Sequence, residues 1–451
     1  MTQIHVVSKQ DISEHATFTL PVSAELGELG PSSVRIRPQL VSLTSNNLTY
    51  ATLGTLIKWW DAYPVQESCP APYNDSSKWG IAPAWGFASV EETNIPNLAP
   101  ETLLFGFWPT SAAPVDLKLE QSPPNGHWVE TSEHRQTLMP LYNRFMVTPL
   151  SIPIHTLADP GAVSPVSVDV LDRLAWSSVF RAIWQCGHHL NEYVFPTNSQ
   201  IQKGIHPLGS RFNLPWSEED GDISSAVVVS LGASTKTART FAYFFERREE
   251  AAPLGFLQVT SAVSALEEAS KTAKPSFSSK AVTYADVTSG GVVQWMKQVE
   301  PSKVIFLEFG AREDVLPKFL DSFEQNGLDS VKPVIIKIGS PQKALTAEEL
   351  GTASSEMTRL GKIQCNTSGM QDSAIDSLGV ETFFQIISAS WEELLNERHK
   401  WAPDMKIVWG HGISGDRGIE GGWTRLCRGE VGAEEALVYR LQSSAGRENL
   451  L

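Results

Sequence analysis

Cysteine is scarce: Cys69, Cys186, Cys365 and Cys427 are spread over 451 residues with no C-x-x-C pair. That spacing argues against a structural zinc lobe and fits free thiols in a reducing, cytoplasmic compartment. No run of about 18 consecutive apolar residues occurs, so no membrane span is expected. The first residues lack a basic stretch followed by an apolar core, and secretion is not expected either. Positive charge is in deficit, with 36 Lys and Arg against 51 Asp and Glu and a formal net charge of −15. Such a chain is a poor partner for nucleic acid or an anionic membrane, although a local basic pocket for a phosphate stays open.

What is present describes a globular protein, with 41% hydrophobic and 19% charged residues. The length exceeds one ordinary core and implies two or three domains. Tryptophan is abundant, with 14 residues. Several lie near Pro and Gly in the first half, where some can line an apolar pocket while most belong to the core.

Residues 1 to about 34 are polar and mixed, which suits an initial strand with a loop. From Ser33 the run Val-Arg-Ile-Arg-Pro-Gln-Leu-Val-Ser-Leu alternates as half-buried antiparallel strands do. The segment 44–54 leads into a short helix, for which its Ser and Asn residues suit a cap. Residues 61–80, rich in Pro, Ser, Tyr and Asp, read as an irregular excursion over the surface. Strand-like runs from Ala82, Leu103 and Ala113, separated by turn residues, predict an all-β first domain with the spacing of a small barrel. Leu171, Leu174, Ala175, Val179, Ala182 and Ile183 then predict a helix over 168–187 that ends at Gly187. His188 and His189 follow as surface groups rather than metal ligands.

At Ala226 the pattern changes. The unbroken apolar run 226–231 suits a strand buried on both faces, and 237–248 reads as the helix after it. Between them lies Gly232-Ala-Ser-Thr-Lys236. In an open α/β sheet this turn receives an anion, because the first amides of a helix lack partners and the positive end of its dipole faces the ligand. One glycine stands there where a dinucleotide fingerprint has three, so a purely structural turn fits the residues as well. Further strand runs begin at Leu254, Lys280, Lys303 and Lys332, with helical stretches between them. This alternation predicts right-handed crossovers and a parallel sheet. Residues 340–373 read as a Ser/Thr-rich loop, 380–398 and 434–441 as helices, and 443–451 as a frayed tail. The glycine-rich 408–422 reads as a loop rather than a phosphate cradle, since no clear strand-helix unit surrounds it.

This order of elements resembles the medium-chain dehydrogenase/reductase superfamily, and within it the zinc-free quinone-oxidoreductase and enoyl-reductase branch, including an offshoot found in fungi and bacteria. Four local matches carry the resemblance over about 35–345: Asn47-Leu-Thr-Tyr50, Trp85-Gly-Phe-Ala-Ser-Val90, Ala233-Ser-Thr-Lys-Thr-Ala238 and Val282-Thr-Tyr284. It implies an α/β fold with a chaperonin-10-like β-barrel domain over 1–165 and a Rossmann-like doubly wound parallel-sheet domain over 166–345. A C-terminal segment, 346–451, is expected to pack back on the first domain.

The resemblance also implies NADP, contacted by Gly232, Ser234, Thr235, Lys236 and Thr237 in the turn and by Thr260 and Ser261 after the second strand run. Lys280, Tyr284, Gly310 and Gly339 complete the expected cofactor contacts. An acid after the second strand would select NAD. Here the chain reads Gln258-Val-Thr-Ser261, so NADP is favoured, although an ordinary helix cap accounts for the same two hydroxyls. The zinc-binding Cys and Gly-His-Glu of the alcohol-dehydrogenase branch have no counterpart, so no catalytic metal is implied. Side chains at two former glycine positions crowd a pyrophosphate, while Ser234, Thr235 and Lys236 add donors and a positive charge.

For chemistry, the resemblance implies Asn47 and Tyr50 as the catalytic pair, with Tyr50 as hydrogen-bond donor and proton source. The reaction is then NADPH-dependent reduction of a conjugated carbon-carbon double bond in a small apolar, polyketide-like metabolite. A capped loop with a buried ring explains the same two residues. A redox-silent isomerase, dehydratase or cyclase using the same cleft is the alternative, and a binding protein without chemistry is a third reading. A homodimer through an edge strand at 333–339 is the expected assembly.

Overall fold

The structure is a computed structural model that describes residues 2–21, 27–149, 165–197, 204–310, 314–328 and 330–441. The tail expected at 443–451 lies outside them. The chain forms two compact units, a barrel unit of Met1–Arg181, Gln342–Thr346 and Lys406–Leu451, and a sheet unit of Ala182–Pro341 and Ala347–Met405.

In the barrel unit, six antiparallel strands close on themselves in the order Ser33–Leu43, Pro83–Thr93, Leu103–Pro109, Arg144–Val147, His127–Glu130 and Val115–Ser122, the last pairing back with the first. Closure removes the exposed edges that an open sheet must otherwise protect. Gly86 and Gly106 face each other across neighbouring strands. Their missing side chains leave room for the Leu40 carbonyl on one strand and the Phe145 ring on another. A separate hairpin, Thr2–Ser8 with His15–Leu20, is extended by Trp79–Gly80.

The end of the chain adds a parallel pair, Lys406–His411 and Glu435–Arg440, joined through the helix Ile419–Cys427 and hydrogen-bonded to Ser33–Leu43. Two expectations are corrected here. Residues 434–441 are a strand and not a helix: Ala436 to Arg440 are all buried, so no period-2 pattern shows in the sequence. The glycine-rich stretch does sit in a strand-turn-helix unit.

The sheet unit holds six parallel strands in the order Ser278–Val282, Gly255–Val259, Ala226–Leu231, Lys303–Phe309, Lys332–Gly339 and Ile363–Gln364. In sequence terms this is the doubly wound order 3-2-1-4-5-6. Val228 packs with Phe241, Phe256 and Ile305 on one face, whereas Val227 and Val229 pack with Leu257, Phe306 and Phe319 on the other. Both faces are covered, which is why the strand reads as an unbroken apolar run.

The segment expected as loop at 340–373 instead contains the helix Ala347–Arg359, the sixth strand and most of the helix Thr367–Leu378. Its hydroxyls explain the misreading. Thr352, Ser355 and Ser373 each donate to the carbonyl four residues earlier, which lets a polar run stay helical. Met370 enters the core beside the sheet, so 347–405 belongs to the sheet unit and not, as expected, with the first domain. Nor is 333–339 an edge, because Ile363–Gln364 pairs with it.

The helix expected over 168–187 is two helices, Pro165–Phe180 and Trp184–His189. Gly187 does not end it. A side chain there would meet the backbone nitrogen of Phe241, so the glycine marks a close helix crossing. His188 and His189 are fully buried rather than on the surface. Burial pushes the His188 pKa down to about 3. A histidine neutral when folded but titrating near 6.5 when unfolded takes up its proton on unfolding. Stability is therefore lost as pH falls below about 6.5, by about 2 kcal/mol at pH 5 from His188 alone. Denaturant midpoints measured at pH 7 and pH 5 should show this drop, and His188→Gln should reduce it; equal midpoints at both pH values would contradict it. Among the described residues no helix is long and apolar enough to cross a membrane.

Candidate functional site

The central strand Ala226–Leu231 ends at Gly232, whose φ of +79° lies in the left-handed region that favours glycine. The amides of Gly232 and Ala233 donate to the Val259 carbonyl at 3.1 and 2.9 Å, and Thr235 N donates to Gly232 O at 3.0 Å. These bonds fold the turn tightly against the neighbouring strand. The helix Lys236–Phe245 then begins with Thr235 at its cap position, yet the Thr235 hydroxyl makes no cap bond. That hydroxyl is buried and unpartnered among the described residues. The amides of Thr237 and Ala238, in the first turn of the helix, lack helical partners by geometry, so the turn presents donors beside an unsatisfied hydroxyl.

Two residues missed in the sequence hold this turn. Arg239, 1% exposed, donates from Nε to the Ser234 carbonyl at 3.0 Å. Its two terminal nitrogens grip the Asp404 carboxylate at 2.6 and 2.8 Å. The available signal was an arginine amid the apolar positions Ala238, Phe241, Ala242 and Phe245, since a buried guanidinium requires a partner.

The other expected cofactor residues divide. Thr260 is fully buried, its hydroxyl accepts from Ala262 N at 2.9 Å, and its own amide donates to Val282 O at 3.0 Å. It closes a turn onto Ala262, the residue before the helix Val263–Ala273, whose start has no side-chain cap bond, while Ser261 beside it is exposed. Tyr284, two residues past the third strand, packs half-buried against the sheet. Gly310, with φ of +98°, follows the fourth strand and lies against the Ser340 backbone, and Gly339 ends the fifth beside Phe309. Together with Gly232, Ser234, Thr235, Lys236 and Thr237, these residues gather at the carboxyl end of the sheet. Lys280 does not join them. Its amine lies 5.5 Å over the Trp295 ring, which donates to Ser278 and covers Gly255 at the strands' first residues, the opposite end.

In the barrel unit, Asn47 and Tyr50 lie on the helix Ser45–Thr52. Asn47 accepts from Thr44 N at 2.7 Å and donates to Pro83 O at 2.8 Å, so its amide is committed at both ends. The Tyr50 hydroxyl accepts from Trp85 Nε1 at 3.0 Å, which joins two of the sequence motifs. Trp59, Phe107 and Tyr142 enclose its ring at centroid distances of 4.8, 5.0 and 5.9 Å. Burial pushes the Tyr50 phenol up to about 12, so it stays protonated at physiological pH.

A family model for DUF2855, described as a protein of unknown function, matches residues 41–432. The chain belongs to the DUF2855 family. No curated protein matches it in sequence. Among solved structures, the mitochondrial 2-enoyl thioester reductase Etr1p/Etr2p heterodimer from Candida tropicalis is similar, with 9% identity over 97% of this chain and 99% of that one and a TM-score of 0.50. A mutant Etr1p in complex with NADP and crotonyl-CoA has 8% identity over the same shares and a TM-score of 0.50. CurA from Vibrio vulnificus has 8% identity over 98% and 99%, with a TM-score of 0.46. The likeness to the Etr1p structures is one of fold: this DUF2855 protein has the GroES-like barrel and Rossmann-like sheet of medium-chain reductases.

The second glycine-rich turn of the DUF2855 chain, after Lys406–His411, is closed to an anion. Gly412 N donates to Arg440 O, Gly418 N to Gly415 O and Ile419 N to Gly412 O. Gly415 N donates to the Glu420 carboxylate, which already supplies the negative charge at this helix start. Among the described residues, no group of three or more His, Cys, Asp or Glu is arranged to hold a metal.

Proposed function

We propose that this DUF2855 protein binds NADP at the carboxyl end of its parallel sheet and reduces a carbon-carbon double bond conjugated to a carbonyl in a small apolar metabolite. The observation that carries the reading is the turn after the central strand of a 3-2-1-4-5-6 sheet. There Gly232 is left-handed and the Thr235 hydroxyl is buried without a partner at a helix start. The residues present fit a pyrophosphate, with Ser234, Thr235, Lys236 and Thr237 as its holders. No acid follows the second strand, which suits the extra phosphate of NADP. The fold shared with Etr1p, solved with NADP and crotonyl-CoA, supports the same class.

When bound, the nicotinamide supplies the hydride. Tyr50, protonated at physiological pH, serves as donor to the substrate carbonyl as negative charge develops there. Asn47 keeps the Tyr50 helix in place through its two backbone bonds. Calorimetric titration with NADPH tests the proposal, and no heat at millimolar cofactor removes it. Tyr50→Phe should lower turnover about 100-fold while leaving NADPH affinity unchanged; unaltered turnover would take Tyr50 out of the mechanism.

One observation favours a second reading, redox-silent isomerisation, dehydration or cyclisation. Ala233 carries a methyl where a dinucleotide fingerprint has glycine, and its amide already bonds Val259. Turnover of an enone without added nucleotide would select that reading.

A further inference from the structure

Among the described residues, Cys186 and Cys365 are the only two cysteines in sulfur contact, with Sγ atoms 3.8 Å apart and both side chains buried. Cys186 lies on the helix Trp184–His189. Cys365 follows the sixth strand, Ile363–Gln364, where its amide donates to Lys337 O at 2.8 Å. Asn366 then caps the helix Thr367–Leu378. We propose that these two thiols are a modification site, an intrachain disulfide formed when the protein meets a hydroperoxide. It would tie the helix Trp184–His189 to the outermost strand of the sheet.

A disulfide needs an S–S distance of about 2.05 Å, so each sulfur moves inward by about 0.9 Å. Cys365 lies just past the strand Ile363–Gln364, its amide anchored to Lys337 O, so the approach comes from rotation of the two side chains together with a small shift of the elements that carry them. The two sulfurs also differ in reactivity. Hydrogen bonds from Cys365 and Thr367 hold the Cys186 thiol below its ordinary value. The shared hydrogen bond and burial raise Cys365, which gives one nucleophile and one resolving thiol. In the first step the Cys186 thiolate attacks the peroxide, the O–O bond breaks, and a sulfenic acid and hydroxide form. In the second, Cys365 sulfur displaces the sulfenic oxygen, which leaves as water with the Cys365 proton. Two thiols are oxidised by two electrons, and hydrogen peroxide is reduced to two waters, or an organic hydroperoxide to its alcohol and one water. Burial limits access to small oxidants.

The other two cysteines are internal controls. Burial raises the thiol pKa of Cys69 and pushes that of Cys427 up to about 12, so both resist oxidation. The test is peptide mapping of the full chain after hydrogen peroxide, alkylation and digestion without reductant. The expected result is a linked Cys186–Cys365 peptide pair two hydrogens lighter than the separate peptides, with free thiols falling from four to two. Cys186→Ser and Cys365→Ser should each lose the linked pair, and Cys69→Ser should keep it. Recovery of Cys186 and Cys365 both alkylated, or each separately oxidised to sulfinic acid, would overturn the proposal in the native chain without any variant. The outcome is independent of cofactor binding.

Discussion

Asp404→Ala is expected to destabilise the sheet unit by about 3 kcal/mol, the low end of the cost of breaking a buried ion pair. Arg239 is the reason. Its side chain is 0% exposed, and its charge is balanced by the one carboxylate that grips both terminal nitrogens. Removing Asp404 leaves a guanidinium in the interior with only the Ser234 carbonyl as a bonded partner. The Asp404 side chain is 27% exposed, so water reaches the vacated position and holds the loss near the lower limit. Arg239→Lys should also be costly, because one ammonium cannot reproduce the planar fork that meets a carboxylate and a carbonyl together. The double replacement Arg239→Leu with Asp404→Leu should recover much of the loss, since no charge then stays buried. Denaturant unfolding of the four proteins checks this. A loss below about 1 kcal/mol for Asp404→Ala would mean the guanidinium is hydrated after all. Because Arg239 fixes the Ser234 carbonyl, the same variant should bind NADPH more weakly if the proposed cofactor site is correct.

The central strand was readable because both of its faces are covered, so Val227, Val228 and Val229 all had to be apolar. The Arg239–Asp404 pair was not, since 165 positions separate its members and neither lies in a motif. The sixth strand spans only two residues, too few for any periodicity to register. The helices flanking it hide behind serines and threonines whose hydroxyls bond back to their own carbonyls. His188 and His189 look like the polar end of a helix, yet the rings of Trp184, Phe244 and Tyr193 surround them. At Asn47 and Tyr50 the sequence located the cluster but not its geometry. Residue type alone did not show that the amide is committed to Thr44 and Pro83, or that Trp85 reaches the hydroxyl. A short motif names positions, whereas roles depend on partners brought in from other strands.

Gly86→Ala should be the most damaging single methyl in the barrel unit, costing more than about 3 kcal/mol and lowering soluble yield. The added carbon would fall on the Leu40 carbonyl oxygen and crowd the Val41 Cα, both backbone atoms of the adjacent strand Ser33–Leu43. That strand shifts register between Pro38 and Leu40, just where it passes Gly86. Backbone cannot rotate aside as a side chain can, so relief requires the two strands to part and the ladder between them to break. The Gly86 carbonyl is also the acceptor for Trp108 Nε1 at 3.1 Å, and displacing it would strand a fully buried indole donor. Gly106→Ala, directly opposite, meets first the Phe145 ring, a side chain rather than backbone, so a smaller cost of about 1–3 kcal/mol is expected. Gly351→Ala is the contrasting case. It lies inside the helix Ala347–Arg359 with open space around it, and alanine there should stabilise by about 0.5–1 kcal/mol. Unfolding midpoints for the three variants should therefore differ in sign as well as size. A Gly86→Ala midpoint equal to that of the unmodified protein would show that the strands do not approach each other as closely as this barrel requires.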